Sequence, residues 1–190
     1  MIKKGIILAG GTGSRLNPLT KILNKQLLPL YDKPLIFYSL SVLMLAGIKN
    51  ILIIVNSNQK ASFQKILGDG SFFGIKISYK EQKKPRGLPD AFILGEQFIK
   101  NDNVAMILGD NFFYGQGFTK RLSQIIKKNK GSTIFAYNVR NPDKYGIVKF
   151  NNNNKILNIE EKPKKPKTNF AITGLYFFDK NVVKISKSIR

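Results

Sequence analysis

The sequence contains neither cysteine nor histidine. The first absence excludes disulfides and thiolate chemistry, and the second removes the commonest general base and metal ligand. Acidic residues are scarce, 11 against 32 lysines and arginines, and no apolar run approaches the length of a membrane span. The opening Met1-Ile2-Lys3-Lys4 leads into an apolar run too short for the core of a secretion signal, with no cleavage-like segment behind it. These absences predict a cytoplasmic protein with no membrane partner. Any catalysis would run on carboxylates, lysine, arginine and bound metal.

What is present fits one folded domain: 190 residues, 43% hydrophobic and 11% aromatic. The net charge of +21 raises the question of a nucleic-acid partner. The lysines are spread along the chain beside asparagines, as in Lys127-Lys128-Asn129-Lys130 and Asn151-Asn152-Asn153-Asn154-Lys155. A general lysine and asparagine bias accounts for this, no nucleic-acid motif accompanies it, and no nucleic-acid partner is expected.

Strand and helix patterns alternate through the first two thirds. An apolar strand over 6–9 precedes an apolar helix over 34–46 that ends near Gly47, and the β-branched run over 50–56 reads as a strand buried on both faces. A helix over 59–67, a strand over 76–79, a helix over 89–99 and a strand over 104–108 follow. This alternation predicts a doubly wound, mostly parallel α/β sheet with ligands at the carboxyl ends of its strands. Beyond Gly131 the pattern becomes strands only, over 133–139, 145–150, 155–160 and 172–178, with a closing helix over 179–189. These strands predict a second, β-rich layer. The expected division is a nucleotide-binding half at 1–130 and a second half at 131–190 of a single domain.

Three glycines in four positions, Gly10, Gly11 and Gly13, follow the first strand, so backbone N–H groups can turn toward an anion with no Cβ in the way. Arg15 adds a planar fork of donors suited to phosphate. Taken alone, the cluster reads equally well as a tight turn. It is neither of the two standard nucleotide loops: Leu16 stands where a dinucleotide loop needs glycine, and no Gly-Lys-Ser/Thr closes it.

At the end of the 104–108 strand, Asp110 in Gly109-Asp110-Asn111 is placed to hold Mg²⁺ against phosphate oxygens. The same tripeptide also reads as a turn, or as a cap for a helix beginning near Gly117. Its coincidence with the glycine loop on one sheet edge favours the metal reading. In the polar stretch 81–90, Gln82 has a carboxamide able to pair with a base edge and Gly87 allows close backbone approach, although a charged loop of this kind also serves as a solvated connection. Glu161 offers an acceptor for sugar hydroxyls and Lys162 a cation for a phosphate. Adjacent strand residues face opposite ways, so the pair serves one ligand only if the backbone bends, which Pro163 favours. By themselves they read as an exposed ion pair at a strand end, and the basic run 162–167 reads as a solvated loop.

Taken together, Gly10-Gly11-Thr12-Gly13-Ser14-Arg15, Pro18, Thr20, Lys25-Gln26-Leu27-Leu28-Pro29 and Tyr31-Asp32-Lys33-Pro34 resemble the signature of the sugar-1-phosphate nucleotidylyltransferases, most of all their thymidine-specific branch. The match runs in register along nearly the whole chain. It implies a Rossmann-like sheet with a smaller sugar-binding layer, and transfer of a nucleotidyl group from dTTP to α-D-glucose 1-phosphate with release of pyrophosphate. That reaction opens dTDP-L-rhamnose-type sugar synthesis.

By resemblance, the nucleotide is held by Leu8, Gly10, Gly11, Thr12, Gly13, Ser14 and Arg15, and by Gln26, Gln82, Pro85, Gly87 and Asp110. The sugar phosphate falls to Leu108, Asn111, Tyr145, Gly146, Glu161, Lys162 and Ile172. Arg15, Lys25, Asp110 and Lys162 carry the catalytic roles, and Asp110 is the ligand of the Mg²⁺ cofactor. At full length a homo-oligomer is implied. The family's second metal aspartate lies in a downstream helical region that the chain does not reach before Arg190, which implies a fragment or a site with one carboxylate. Transferases using UTP or CTP share the loop and the acid, and a catalytically weak, polyanion-binding remnant would share the fold.

Overall fold

Four strands lie side by side in parallel, as apolar runs separated by helices favour. The computed structural model describes residues 1–11, 13–84 and 86–189. In chain order, β1 (Lys4–Ala9) is followed by a two-residue hairpin of β2 (Pro29–Leu30) and β3 (Lys33–Pro34), then α1 (Ile36–Leu45), β4 (Asn50–Asn56) and α2 (Lys60–Leu67). Next come β5 (Lys76–Gln82), α3 (Leu88–Leu94), α4 (Glu96–Ile99), β6 (Val104–Leu108) and α5 (Phe118–Lys128). The chain closes with β7 (Ser132–Asn138), β8 (Gly146–Phe150), β9 (Ile156–Glu161), β10 (Phe170–Phe178) and α6 (Val182–Ser188). No helix among the described residues is long and apolar enough to cross a membrane.

The residues fall into two units, one of Met1–Thr133 with the stretch from Tyr176 onward and one of Ile134–Leu175. In the first unit the strand order is β5-β4-β1-β6, with Lys4 opposite both Asn50 and Val104. Ile6, Ile7, Ile53, Ile54, Met106 and Ile107 are wholly buried. Burial of this central slab stabilises the unit at about 25 cal/mol per Å² of apolar surface removed from water. The stretch 176–189, which the sequence pattern groups with the second half, belongs with the first. Val182 and Val183 of α6 pack into the cluster of Ile6, Leu52, Phe92 and Met106, and burying both valines decides where the helix goes.

Several boundaries differ from the sequence reading for identifiable reasons. Helix α1 begins two residues later than expected because Lys33–Pro34 is taken into the hairpin. It ends as predicted: Gly47 adopts φ 75° while its N–H reaches Met44 O and that of Ile48 reaches Leu43 O, so two terminal carbonyls are satisfied. The helix expected over 89–99 breaks at Gly95, where a Cβ would lie 3.0 Å from Ala91 O and 3.1 Å from Ile6 Cδ1. Strand β5 runs on to Gln82 because its pairing with β4 continues to Asn56 opposite Gln82.

The second unit is antiparallel. β8 pairs with β9 from Gly146 opposite Glu161 through Phe150 opposite Ile156, and with β10 at Ala171 opposite Ile147. The asparagine-rich turn between β8 and β9 is held by Asn151 Oδ1, which accepts from the N–H groups of Asn153 and Lys155, while Asn154 adopts φ 56°. Ile147, Val148, Ala171 and Leu175 form its small core.

Candidate active site

The carboxyl ends of β1, β4, β5 and β6 carry the polar groups of the first unit. Gly10 follows β1 directly, and a Cβ there would sit 2.7 Å from Gln82 Oε1 and 3.2 Å from Asn56 Oδ1. Glycine is required because two carboxamides crowd the loop. Gly13 is required for a second reason: its φ of 63° is left-handed, and a Cβ would lie 2.8 Å from Thr20 Cγ2. Thr20 Oγ1 donates to Gly13 O at 2.8 Å, and a 3₁₀ turn over Ser14–Leu16 begins there. Arg15, on that turn, is exposed and forms no ion pair among the described residues. Thr12 and Pro85, both expected to touch the nucleotide, lie outside the described residues.

The expected meeting of the glycine loop with the end of β6 is present. Gly109 N donates to Leu8 O at 2.9 Å, and Lys25 Nζ bonds Asp110 Oδ2 at 2.7 Å. The other carboxylate oxygen accepts from Asn111 Nδ2 at 3.2 Å. Lys25 and Asp110 are each about one-third exposed, at 32% and 30% of their side chains, so the pair is open to a ligand. Leu108, whose carbonyl accepts from Asn111 N at 3.1 Å, ends the same strand.

Two groups that the sequence reading passed over hold this arrangement. Asn24, 4% exposed, caps the 3₁₀ turn of Lys25–Leu27 by accepting from Gln26 N at 2.8 Å. Its Nδ2 donates to Ala9 O at 3.2 Å, which ties the lysine's turn to β1. Ser39, buried in α1, donates toward Leu108 O and Asn111 O at 3.1 Å each and pins the Asp110 loop from below. An asparagine before a short polar turn is a recognisable cap. A lone serine in an apolar helix carries no such signal.

Gln26 lies 2% exposed beneath the loop, and among the described residues its Oε1 is a buried side-chain oxygen with no hydrogen-bond partner. A Cβ on Gly11 would come to 3.8 Å from its Nε2. An unpaired buried acceptor costs about 1–3 kcal/mol until something donates to it. Gln82 differs from its expected loop position: it is buried at the end of β5, and its Nε2 donates to Asp90 Oδ2 at 2.9 Å. Gly87 adopts φ 88°, in the left-handed region, and caps α3.

In the second unit the structure brings together all five residues expected there. Glu161 faces Gly146 across the ladder, and a Cβ on Gly146 would meet Glu161 Oε2 at 2.8 Å and Ile172 Cδ1 at 4.0 Å. Lys162 N donates to Tyr145 O at 3.0 Å. The required bend is at Lys162 itself, with φ 44°, and not at Pro163. It brings Lys162 Nζ to 3.6 Å from Glu161 Oε1, both side chains being well exposed.

No group of three or more metal-binding side chains occurs among the described residues. Asp110 brings one carboxylate to the end of β6. That fits Mg²⁺, which is commonly held by one or two carboxylates together with substrate phosphates and water.

Parallel α/β architecture, with a glycine loop and an acid on one sheet edge, defines the class of phosphate-handling, mostly parallel sheet proteins. A family model described as nucleotidyl transferase matches residues 4–190, and the chain belongs to that family. It is 57% identical over 187 residues to the glucose-1-phosphate thymidylyltransferase of Neisseria meningitidis serogroup A, covering 98% of this chain and 65% of that one. The Mycolicibacterium smegmatis protein of the same name is 50% identical over 187 residues, with the same coverage. The chain thus spans about 65% of the length of these curated relatives. A crystal structure from Bacillus anthracis, provisionally named a glucose-1-phosphate thymidylyltransferase and holding sucrose, superimposes with a TM-score of 0.91 at 38% identity, covering 98% of this chain and 75% of that one. A UDP-glucose pyrophosphorylase in complex with UDP-glucose gives 0.81 at 27% identity, covering 98% and 80%.

Proposed function

We propose that the chain is the nucleotidyl-transfer part of a glucose-1-phosphate thymidylyltransferase, making dTDP-glucose and pyrophosphate from dTTP and α-D-glucose 1-phosphate. The observation that carries the reading is the contact of Lys25 with Asp110 at 2.7 Å, joining the turn behind the glycine loop to the end of β6. The names of its relatives support the choice of base and sugar.

In this reading the backbone from Gly10 to Ser14 cradles the triphosphate, and Arg15 and Lys25 neutralise charge that grows on the phosphates. Gln26 accepts a hydrogen bond from the nucleotide at its otherwise unpaired Oε1, and Gln82 with Gly87 and the backbone near Leu8 and Gly10 meets the base. Asp110 would hold Mg²⁺, which supplies Lewis-acid neutralisation of phosphate charge when bound. Tyr145, Gly146, Glu161 and Ile172 hold the sugar phosphate, and Lys162 orients its phosphate. An oxygen of the sugar phosphate attacks the α-phosphorus in line, the new P–O bond forms as the bond to pyrophosphate breaks, and no enzyme nucleophile is needed. Positioning and charge neutralisation do the work, which suits a sequence without cysteine or histidine. The full-length protein is proposed to be a cytoplasmic homo-oligomer acting on small molecules at the head of dTDP-sugar synthesis.

The test is pyrophosphate release with glucose 1-phosphate and dTTP, UTP or CTP. Preference for dTTP is expected. Equal or greater release with UTP would move the chain to the uridylyl branch, and binding of none of the three would remove the assignment.

A further inference from the structure

A carboxamide offers a ligand either its oxygen or its nitrogen, and its own geometry does not decide which. At Gln82 a neighbour decides. Its Nε2 donates to Asp90 Oδ2 at 2.9 Å in a pair that is almost closed to solvent, with Gln82 3% and Asp90 8% exposed. A carboxylate accepts hydrogen bonds, so a flipped Gln82 would set oxygen against oxygen where no water relieves the clash. Oε1 is thereby directed the other way, toward Gly10, where a Cβ would come within 2.7 Å of it. The acceptor is aimed at the loop by a residue eight positions further along the chain.

We infer that Asp90 is a positioning residue that locks Gln82 as an acceptor toward the Gly10 loop and so selects bases carrying an imide N3–H. The inference rests on the proposed nucleotide site and adds the rule by which that site chooses. Thymine and uracil carry a proton on N3 that Oε1 accepts. Cytosine has a lone pair there and meets the oxygen with repulsion. The second hydrogen of Nε2 remains for a neighbouring base carbonyl. The 5-methyl group that separates thymine from uracil is not read by this contact.

Asp90 also stands in the first turn of α3, where a negative charge favours the helix, and that role alone would affect stability without affecting choice of base. The test separates the two by titrating the 190-residue chain with dTTP, dUTP and dCTP in the presence of Mg²⁺ and recording thermal unfolding in parallel. In Asp90→Asn, residue 90 and Gln82 can flip together. The dTTP-to-dCTP affinity ratio is expected to narrow about tenfold, with the dTTP-to-dUTP ratio unchanged. Asp90→Glu keeps an obligate acceptor and should retain most of the preference. In a Gln82→Ala background, Asp90→Asn should change the ratio no further.

An unchanged dTTP-to-dCTP ratio in Asp90→Asn, with unfolding temperature lowered equally in both backgrounds, would overturn the inference and leave Asp90 as a helix-end charge. Asp90→Ser, whose hydroxyl both donates and accepts, gives the same reading should Asp90→Asn not fold. A wild-type chain that binds all three nucleotides equally defeats this inference alone. One that binds none defeats the nucleotide site itself, and this inference with it.

Discussion

Lys25 Nζ lies 2.7 Å from Asp110 Oδ2 although the two residues are 85 positions apart. The ammonium is the cation that Asp110 holds here, so an arriving metal competes with Lys25 for the carboxylate, and an arriving phosphate competes with Asp110 for the lysine. Removing the lysine should therefore push two affinities in opposite directions. Lys25→Met is expected to tighten Mn²⁺ binding in the absence of nucleotide by about two- to fivefold, the worth of a partly exposed ion pair. It should weaken dTTP binding by about tenfold or more through loss of a charge-assisted contact. Electron paramagnetic resonance of free Mn²⁺ and calorimetric titration of dTTP read the two effects. If both affinities fall together, the competition does not exist.

Arg15 is exposed and unpaired among the described residues, so it contributes little to folding. Arg15→Ala should lower the rate of pyrophosphate release by about a hundred- to thousandfold, the effect of deleting one preorganised group that meets developing charge. The unfolding temperature should stay within about a degree, as surface substitutions away from buried features cost less than about 0.5 kcal/mol. A near-normal rate would take Arg15 out of the mechanism.

Gly13 combines a left-handed φ of 63° with a Cβ position 2.8 Å from Thr20 Cγ2. Gly13→Ala is expected to destabilise the chain by about 1–2 kcal/mol for the backbone alone, and to displace the loop further through contact with Thr20. Denaturant unfolding of Gly13→Ala alongside the Gly13→Ala, Thr20→Ser double variant measures both parts, because the smaller side chain removes the clashing methyl and leaves the dihedral penalty. Equal losses in the two would assign the whole cost to the dihedral.

Burial raises the Tyr79 phenol to about 12, with the nearby charge of Asp69 acting in the same direction. Its hydroxyl also donates to Gly68 O at 2.6 Å, an interaction that needs the proton. The folded pKa lies above the unfolded value of 10.0, so the contribution to stability is complete below pH 10 and is lost as pH rises from there through about 12. Absorbance at the phenolate band should show one tyrosine titrating late, absent in Tyr79→Phe. The alkaline fall in unfolding temperature should be shallower in that variant, and the same slope in both would show that Tyr79 does not drive it.

Much of the scaffold was legible from local pattern. The run 50–56 is apolar and β-branched on both faces, and its predicted limits match β4, since a strand covered on both sides leaves no polar interruption to misplace its ends. The glycine at the end of α1 is a local signal with a local cause. Gln82 was harder, because the charged residues preceding it look like a loop, and only pairing with Asn56 on the neighbouring strand extends β5 to that point. Pro163 announces a bend in the sequence, whereas the left-handed Lys162 that makes it does not. How closely Ile6 approaches Gly95, leaving little room for a side chain there, is a distance that sequence spacing does not encode.

Order along the chain determined the alternation of strands and helices, the glycine loop after β1, the acid after β6 and the lack of any thiol or imidazole. Packing decided that Lys25 holds Asp110, that Asp90 turns Gln82 and that Gly10 has no room for a side chain. Period and composition are properties of neighbouring residues and survive in any window of the sequence. A hydrogen bond across 85 residues is a property of three-dimensional distance, and that distance exists only once the sheet has assembled.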